Sequence, residues 1–560
     1  MIARRKSFLS VIICVMHKSE LHSVLEKELR ALDKNFSDAA KNFSLFLNPN
    51  EQFGQYGSNL LILLAKKSGK SLEKTFEVLK EKIFSKPLFQ ESFEKIEPAT
   101  NGFLNFYLSK NALFETFQAI FQGKKFPYVQ AEIPKKVQIE YVSANPVGPL
   151  TLHNTRGAIL GDTIANVLGR SGHKIHREFY VNDRGGQIKT LGLSILAAHG
   201  LIKEEETFYR GGYLKSLEFK VKSLERFIEK PEELGKIAAR EILTNLIQKP
   251  LEEFGTHFDT FYSENELYKK GLDKEVLKLF ADKKLTYKKD GALYFKSTLF
   301  GDNEDRVLVK SDGEATYFLS DAAYHLDKFR NRKFEVVIDI FGADHQSHKD
   351  RLYAIVKALE LGGDFQIIIM QFVHLKSGEE LMRMSKRKGV YLALDDLVKE
   401  VGKDAVRFFF LMTHHNTHLD FDVELAKRKS QENPVYYVQY AYARLCSIFE
   451  KAGLSEKEIA KQDPKKVFEY VIQINNVRNL LSKMHGYFDL ISDVSKSLEV
   501  NKLATFALEF AAQFHQIYER TRIIDDNKIE TKLRLSFALA VKNFLKELFD
   551  VIGIEAREKM

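Results

Sequence analysis

The stretch that decides the fold is Val137–Gly157, which reads VQIEYVSANPVGPLTLHNTRG. Its first six residues carry Val, Ile and Tyr at alternate positions and predict a strand, and the Pro- and Gly-rich Ser143–Leu150 predicts a loop. A helical pattern then runs from about Asn154 to Ser171, and a second strand is predicted at Lys174–Val181. A strand, a loop, a helix and a further strand in this order begin a doubly wound α/β nucleotide-binding fold.

Downstream, the pattern extends this unit into a Rossmann-like α/β domain with a parallel sheet over residues 131–400. Residues 190–285 are mostly helical and charged, which predicts a helical insertion. From Ala405 onward the chain is almost wholly helical, so we expect connecting helices at 401–430 and an all-α bundle at 431–560. Further strands are predicted at Ala292–Phe295, Arg306–Val309, Val336–Phe341 and Gln366–Phe372.

Upstream, residues 16–130 predict a small α+β domain. Leu and Val recur with helical spacing in residues 16–35, and Gly102–Leu108 alternates as a strand does. Residues 1–15, MIARRKSFLSVIICV, are basic and then apolar but lack the small-residue cleavage site of a signal peptide, so we expect a disordered extension. No apolar run approaches the ~20 residues that a membrane-spanning helix needs.

Composition sets broad limits on function. The 560 residues include 85 Lys and Arg against 76 Asp and Glu, a net charge of +9. This excess permits a polyanionic partner, although a lysine-rich bias of the whole proteome explains it equally well. The two cysteines, Cys14 and Cys446, have no Cys or His at metal-ligand spacing nearby. We therefore expect neither a metal site nor a disulfide framework, and a cytoplasmic location.

The loop after the first strand carries the first candidate chemistry. Pro146, Gly148 and Pro149 predict a tight turn directly before a helix, where free backbone N–H groups can hold a phosphate. Polar side chains at such a helix start can donate hydrogen bonds to phosphate oxygens as charge builds up. An ordinary strand–helix turn looks the same, so this loop alone does not assign a function.

The stretch Ser143–Leu150, SANPVGPL, resembles the segment that leads into the HIGH signature of arginyl-tRNA synthetases. The four places of that signature fall on Thr151, Leu152, His153 and Asn154. Both His places are changed, to Thr and Asn, and the Gly place holds His153. Thr151 and Asn154 can still donate hydrogen bonds, whereas His153 stands where Gly leaves room for the adenine.

Other blocks resemble the same family in the same order, over nearly the whole of residues 16–560. Four lie in the Rossmann-like domain and one begins the C-terminal bundle, which the resemblance identifies as an anticodon-binding domain. These blocks are Tyr180–Gln187 (YVNDRGGQ), Thr316–Phe329 (TYFLSDAAYHLDKF), Phe341–Leu352 (FGADHQSHKDRL), Leu381–Gly389 (LMRMSKRKG) and Glu432–Arg444 (ENPVYYVQYAYAR).

The second of these blocks, Thr316–Phe329, implies an acidic pocket for arginine. Tyr317 and Asp321 share one face of a predicted helix at a spacing of four residues. A guanidinium is planar and permanently charged, and it is best bound by a carboxylate together with further acceptors. The resemblance implies that arginine is bound by Glu140, Ser143, Asn145, Tyr317, Asp321 and His345.

The resemblance assigns the phosphate chemistry to two places. One is the signature, and the other is the basic segment Leu381–Gly389, which looks like the KMSKS loop. Clustered cations on a loop that ends in Gly can neutralise the leaving pyrophosphate. His345 and His348 have no third ligand at close spacing, so we do not predict a metal there. The resemblance implies Thr151, His153, Asn154, Ser385 and Lys386 as catalytic residues, and Pro146, Gly148, Pro149, Asp344, His345, Arg383, Met384 and Arg387 as ATP-binding residues.

Contacts with tRNA are implied at both ends of the chain. The strand at Gly102–Leu108 resembles a family strand that touches the tRNA elbow, and the tyrosine-rich segment after Glu432 resembles the entry helix of the anticodon-binding domain. Aromatic side chains can stack on unpaired bases, and Arg can hold phosphates. The implied tRNA-binding residues are Asn101, Phe103, Asn433, Tyr436, Tyr437, Gln439, Tyr440 and Arg444.

The sequence therefore predicts an enzyme that joins arginine to the 3′ end of its tRNA with ATP, accompanied by Mg²⁺. We expect a monomer whose partners are arginine, ATP and tRNA, with no membrane. Two alternatives remain at this stage. One is a class I synthetase for another amino acid, such as lysine; the other is a tRNA-binding paralogue with reduced or no catalysis, which the changed signature suggests.

Overall fold

The computed structural model describes residues 16–33, 36–123, 126–217, 223–377, 380–382 and 393–560. The extension expected at 1–15 lies outside these residues. Among the helices that they form, none combines the length and apolar character needed to cross a bilayer.

The N-terminal domain is an antiparallel sheet covered by helices, as its mixed pattern predicts. Its sheet order is β1-β2-β4-β3, and Leu21, Leu25 and Leu29 bury one face of the first helix. The strands are β1 (Leu45–Leu47), β2 (Tyr56–Ser58), β3 (Phe93–Pro98) and β4 (Leu104–Leu108), and the helices are α1 (Lys18–Leu32), α2 (Ser37–Asn42), α3 (Leu60–Ser68), α4 (Leu72–Leu79), α5 (Pro87–Ser92) and α6 (Lys110–Gln122).

The Rossmann-like domain holds the remaining strands. In chain order they are β5 (Lys136–Glu140), β6 (Lys174–Val181), β7 (Thr260–Ser263), β8 (Thr286–Lys289), β9 (Ala292–Phe295), β10 (Arg306–Val309), β11 (Val336–Gly342), β12 (Asp364–Met370), β13 (Val373–Ser377), β14 (Glu380–Met382) and β15 (Leu419–Asp422). Its helices are α7 (Leu152–Arg170), α8 (Gly186–Ala198), α9 (Tyr213–Ser216), α10 (Pro231–Ile242), α11 (Lys249–Glu253), α12 (Glu264–Lys269), α13 (Leu272–Asp282), α14 (Tyr317–Leu326), α15 (His348–Ala358), α16 (Leu394–Val401), α17 (Lys403–Leu411) and α18 (Val423–Lys427).

The central sheet is parallel, with the order β12-β11-β5-β6-β7. Helix α7 crosses from β5 to β6, as the opening stretch predicts. A Cβ at Gly161 in the middle of this helix would lie 2.2 Å from the ring of Tyr141. The glycine therefore lets the helix approach the end of β5 closely, which fixes the start of α7 beside the carboxyl ends of the strands.

Three sequence expectations about strands are corrected. The segment 190–285 was expected to be mostly helical; it holds helices α8 to α13, but Thr260–Ser263 within it returns to the central sheet as its edge strand. Strands β9 and β10 were predicted at the right places, but they pair antiparallel with β8 in a separate sheet. The connecting segment 401–430 is not all helical, because β15 pairs with β13 in a third sheet. Periodicity over four residues can indicate a strand, as for β9 and β10, but it does not identify the partner strand or the direction of pairing.

The C-terminal bundle is helical as predicted. Helix α6 from the end of the N-terminal domain packs against α21, α22 and α24, so the bundle core includes residues from both ends of the chain. The bundle helices are α19 (Pro434–Ala452), α20 (Glu456–Ile459), α21 (Pro464–Val471), α22 (Val477–Ser497), α23 (Asn501–Arg520) and α24 (Lys528–Ile552).

A buried ion pair joins the Rossmann-like domain to the bundle. Arg407 of α17, only 1% exposed, donates to the carboxylate of Asp162 on α7. Gly553, the left-handed residue that ends α24 with φ 77°, lies against the same guanidinium. Three elements from distant parts of the chain therefore meet at one buried charge, which is costly unless it stays paired.

A hydrogen-bond chain joins the N-terminal domain to the bundle. Tyr56 Oη donates to Asp489 Oδ2 at 2.7 Å and lies 2.9 Å from His485 Nε2, and Thr116 Oγ1 lies 3.0 Å from His485 Nδ1. Burial lowers the pKa of His485 to about 3, so the ring is neutral, with one nitrogen donating and one accepting. The contact therefore holds together without any added ion.

Two left-handed helix ends in the bundle allow a test of the Arg407 contact. We expect Gly453→Ala to cost about 1 kcal/mol, the usual price of a left-handed Ala, because nothing lies within 4 Å of a Cβ there. Gly553→Ala should cost on the order of 3 kcal/mol more, since its Cβ would lie 2.4 Å from Arg407 Nη2. Thermal and denaturant unfolding of the full chain would measure both losses. Equal losses in the two variants would show that Arg407 is free to move away.

Candidate active site

The site lies where the order of the central sheet reverses. The chain proceeds from β5 to β6 and β7 on one side and returns to β11 and β12 on the other. A crevice opens at such a switch point, outside the carboxyl ends of the two central strands. Here those ends are Glu140 and Gly342, which belong to two of the sequence blocks described above.

Lys328 is fully buried beneath this crevice. Its Nζ donates to Glu140 Oε2 at 2.6 Å and to Asp339 Oδ1 at 2.8 Å, so one cation bridges neighbouring strands. Burial opposes its charge, but the two carboxylates outweigh burial and raise the pKa of Lys328. Glu140 is therefore already engaged by a cation within the protein, although it shares that cation with Asp339.

The carboxylate of Asp321 has no such partner. Among the described residues, no hydrogen-bond donor to this carboxylate is found, and the neighbouring Ser320 donates to Glu264 instead. Burial raises the pKa of Asp321 to about 7, and the negative charges of Glu140 and Glu264 contribute to that increase. The site thus contains one acidic group that lacks a cation, which suits a positively charged ligand.

Glu264 is a second acidic group of this site, and sequence reasoning missed it. It is 3% exposed; Ser320 Oγ donates to its Oε1 at 2.7 Å, and no hydrogen-bond partner for its buried Oε2 is found among the described residues. Burial raises the pKa of this carboxyl too. Its only sequence signal is its place directly after β7, which was hidden while 190–285 was taken for an insertion.

Tyr317 lies one turn before Asp321, as the spacing predicts. It is 58% exposed, and a Cβ on Gly185 would lie 2.9 Å from its hydroxyl. Gly185 has φ 79° and opens α8 in the block Tyr180–Gln187. The structure therefore brings two of the sequence blocks together across the mouth of the acidic pocket.

The turn after β5 is strained. Val142 and Ser143 have φ values of 69° and 38°, which side-chain-bearing residues rarely adopt. Ser143 Oγ donates to Glu140 Oε1 at 2.9 Å and accepts from the Tyr180 backbone N–H at 3.1 Å, and these bonds hold the turn in place. Strain that the surroundings maintain in this way clusters at functional sites, and the turn delivers Asn145 to the exposed edge of the crevice.

The Pro- and Gly-rich turn is covered by the insertion. Pro146 and Gly148 are buried, and the hydroxyl of Tyr213 on α9 donates to the Val147 carbonyl at 2.6 Å. A Cβ on Gly148 would lie 3.2 Å from that hydroxyl. Pro146, Gly148 and the half-buried Pro149 therefore shape the path of the backbone.

The changed signature residues open helix α7. The Thr151 backbone N–H and hydroxyl both donate to Asn154 Oδ1, at 3.0 and 2.8 Å, which closes the first turn. The amide nitrogen of Asn154 remains as a donor. Thr151 also pairs with Ala393, the first described residue after 383–392. The residue at which the description of the chain resumes therefore lies beside the signature.

His153 lies against the end of β11. A Cβ on Gly342 would lie 2.2 Å from His153 Nε2 and 2.4 Å from Asp344 Oδ1, so this glycine leaves the space that His153 occupies. Asp344 and His345 are exposed, with 3.6 Å between Asp344 Oδ2 and His345 Nε2. The structure thus brings the signature and the block Phe341–Leu352, which we call the GADH block, together.

Some predicted site residues cannot be placed. Arg383, Met384, Ser385, Lys386 and Arg387 lie outside the described residues. In the part of the chain that is described, the one cluster with metal-ligand spacing is His17, His485 and Asp489, far along the chain from this crevice. Hydrogen bonds already engage both nitrogens of that His485.

Two predicted tRNA contacts are corrected. Asn433 is 3% exposed and caps α19, and its amide donates to the carbonyls of Ala426 and Arg428. Gln439 is 2% exposed and donates to Asp404 and to the Glu555 carbonyl. Hydrogen bonds within the chain occupy both side-chain amides, which join the bundle to the rest of the chain, so neither can contact a partner.

The other predicted tRNA contacts are accessible. Asn101 is exposed, and Phe103 forms an edge-to-face pair with the exposed Phe46, with ring centroids 5.9 Å apart. On α19, three tyrosines are partly exposed around Arg444, whose guanidinium lies 4.7 Å from the ring centroid of the last of them. These tyrosines are Tyr436, Tyr437 and Tyr440.

Known proteins resemble the chain over its whole length. Three family profiles match in order: "Arginyl tRNA synthetase N terminal domain" at residues 19–108, "tRNA synthetases class I (R), catalytic domain" at 116–427 and "DALR anticodon binding domain" at 438–560. Arginine–tRNA ligase of Thermotoga petrophila is 37% identical over 96% of this chain and 100% of its own length. That of Caldanaerobacter subterraneus subsp. tengcongensis is 35% identical over 97% of this chain and 99% of its own length.

Solved structures agree with this match at the level of fold. The Thermus thermophilus arginyl-tRNA synthetase superposes with a TM-score of 0.74, covering 95% of this chain and 100% of its own, at 20% identity. Together with the three family profiles and the full-length relatives, the fold and the acidic crevice place the chain in the arginyl-tRNA synthetase family, within class I of the aminoacyl-tRNA synthetases.

Proposed function

We propose that this protein is an arginine–tRNA ligase. A carboxylate oxygen of arginine attacks the α-phosphorus of ATP, and the bond to pyrophosphate breaks to leave arginyl-adenylate. A hydroxyl of the 3′-terminal ribose of tRNA then attacks the acyl carbon, loses its proton, and AMP departs. The observation that carries the proposal is an acidic pair at the switch point of the sheet: the half-buried Asp321, for which no donor is found among the described residues, and the buried Glu264, whose Oε2 also lacks one there.

We assign recognition of the guanidinium to these two carboxylates. Among the described residues no donor is found for Asp321 or for Oε2 of Glu264, so a planar cation with several N–H groups would satisfy both. Tyr317 would cover it from the solvent side. Glu140 already pairs with Lys328, so we move Glu140 from the guanidinium to the other end of the substrate. There, with Ser143 and Asn145, it would receive the α-amino group.

ATP would lie between the signature and the GADH block. Its phosphates would meet the start of α7, where the Asn154 amide remains free to donate, and the adenylate would reach Asp344 and His345. Lys386 with Ser385 and its neighbours would neutralise the departing pyrophosphate. Mg²⁺ would arrive bound to the ATP phosphates, since it keeps most of its own water and needs few protein ligands.

Binding of tRNA would use both ends of the chain. Phe46 and Phe103 on the N-terminal domain and the tyrosines around Arg444 on the bundle offer rings to unpaired bases. Every group assigned to the reaction lies on one chain, which supports a monomer. The low cysteine content supports a reducing, cytoplasmic setting.

Two alternatives are tied to particular observations. An acidic pocket also suits lysine, so lysine is the competitor to test. A paralogue that binds tRNA without catalysis is suggested by Thr151, His153 and Asn154 in the signature. Assays of purified protein with tRNA and either amino acid separate all three readings.

Affinity for arginine should depend on pH through Asp321. Arginine binds the ionised carboxylate, whose pKa burial raises to about 7, so KM for arginine should fall as pH rises through 7. The unliganded protein should respond oppositely, because a raised carboxyl pKa makes the folded state gain stability as pH falls below 7. Pyrophosphate exchange from pH 6 to 8 measures the first trend. Inhibition by citrulline, a neutral isostere of arginine, is the control, and a shared trend would contradict the assignment.

Glu264 should contribute to the choice of arginine. We expect Glu264→Gln to raise KM for arginine by roughly tenfold or more, since a charged hydrogen bond is worth about 1.5–3 kcal/mol, with little change in kcat. The matched control is Glu266→Gln, which removes an exposed carboxylate on the same helix. If both substitutions leave KM for arginine unchanged, Glu264 does not touch the substrate.

Lys386 should be essential because the signature is weakened. Lys386→Ala is expected to abolish arginylation and tRNA-supported pyrophosphate exchange, while tRNA binding persists. Lys399→Ala, which removes a cation from the exposed face of α16, should leave the rate unchanged. A mild loss in Lys386→Ala would refute the compensating role.

A further inference from the structure

The small third sheet has one buried and one open face. Val373 and Leu375 of β13 and Leu419 and Phe421 of β15 are buried, as period-two alternation requires. The alternate positions point outward. An open sheet face is usually polar, but this one begins with Phe372, a phenylalanine that is 43% exposed.

Four rings form a row along this face. The ring centroids of His153 and Phe372 are 5.6 Å apart, those of Phe372 and His418 are 6.3 Å apart, and those of His418 and His374 are 5.4 Å apart. The last two pairs are inclined by only 20° and 10°. The row therefore starts at the signature, beside Gly342, and leads outward as a nearly flat surface, which we call the ring row.

A buried guanidinium fixes the ring row to the site. Arg156, 2% exposed on α7, donates to the carbonyls of Gln371 at 2.7 Å and of His414 and Thr417 at 2.9 Å each. These carbonyls immediately precede Phe372 or lie within the loop that leads to His418. The same helix turn carries His153, so the rings keep their spacing relative to the reacting centre.

The carboxylates of this face are engaged within the protein. Two of them, Asp420 and Asp422, occupy outward positions of β15. Lys376 Nζ lies 2.7 Å from Asp420 Oδ2, and His374 Nδ1 lies 3.3 Å from Oδ1. Asp422 caps α18, where its Oδ1 accepts from the Leu425 backbone N–H at 3.0 Å. The exposed faces of the rings therefore remain open to a partner.

We propose that the ring row stacks the unpaired 3′-terminal nucleotides of tRNA and leads its last ribose to the adenylate. This rests on the proposed function, which requires that ribose to reach the crevice beside His153. Exposed aromatic and histidine rings on a sheet face are a recurring platform for unpaired bases, whichever base is present. The continuity of the ring row with the crevice selects the 3′ end among the parts of tRNA.

The test is a binding cycle with intact tRNA and with the same tRNA trimmed of its unpaired 3′ nucleotides. The variants are Phe372→Ala, His418→Ala and His418→Phe, and the matched control is Leu299→Ala, which truncates a side chain that is 67% exposed elsewhere in the domain. Phe372 is half exposed, so its truncation should not unfold the chain, and a thermal melt checks this. Dissociation constants are measured at one fixed salt concentration.

Trimming should weaken binding to the wild-type and Leu299→Ala proteins by roughly tenfold, the scale of a stacked base. Phe372→Ala and His418→Ala should bind intact tRNA about as weakly as the wild-type protein binds trimmed tRNA. Trimming should therefore change the dissociation constants of these two variants very little. His418→Phe should keep the wild-type response, because a ring of similar size remains.

The proposal is overturned if Phe372→Ala weakens the binding of intact and trimmed tRNA equally, or weakens the binding of neither. It is also overturned if His418→Phe binds the two tRNAs as His418→Ala does. A separate charging assay of the wild-type protein with arginine keeps the two ideas apart. Charging without the trimming effect would leave the ligase function standing and reject the ring row. The trimming effect without charging would leave the ring row standing and reject the ligase function.

Discussion

The site depends on one buried ammonium group. Lys328 sits between the carboxylates of Glu140 and Asp339, at the ends of adjacent central strands. Removing two acidic groups from water is tolerable only because this cation pairs with both. One ammonium group cannot neutralise two carboxylates, so this cluster keeps a net negative charge, and Asp321 adds to it. The crevice is therefore acidic, which suits a positively charged substrate.

Two buried guanidinium groups likewise join distant elements elsewhere in the structure. Arg156 binds only backbone carbonyls, and burial without a carboxylate lowers its pKa to about 10. Arg407 instead shares its charge with Asp162. Both contacts involve α7, the helix that begins at the signature. One helix thus connects the reacting centre, the small third sheet and the bundle, so its position is fixed from several sides.

The sequence predicted the parts of this arrangement that are local. The strand, loop and helix after Val137 and the pairing of Tyr317 with Asp321 depend on neighbours within a few residues. The role of Lys328 could not be predicted in the same way, since 188 residues separate it from Glu140. Glu264 was missed for a related reason: it follows a four-residue strand whose identity depends on pairing with β6. Asn433 and Gln439 were assigned to a partner because polar residues on a helix look alike until their burial is known.

The segment between β6 and β7 is a place where related proteins can differ in length. Both of its ends are held in the central sheet, and the second end delivers Glu264 directly after Ser263. Helices α8, α10 and α11 can then lengthen or shorten between relatives, while the sheet continues to dictate where the acidic group emerges. The same anchoring limits deletion: much of the helical part could be shortened, but a deletion that included β7 would remove the strand that positions Glu264.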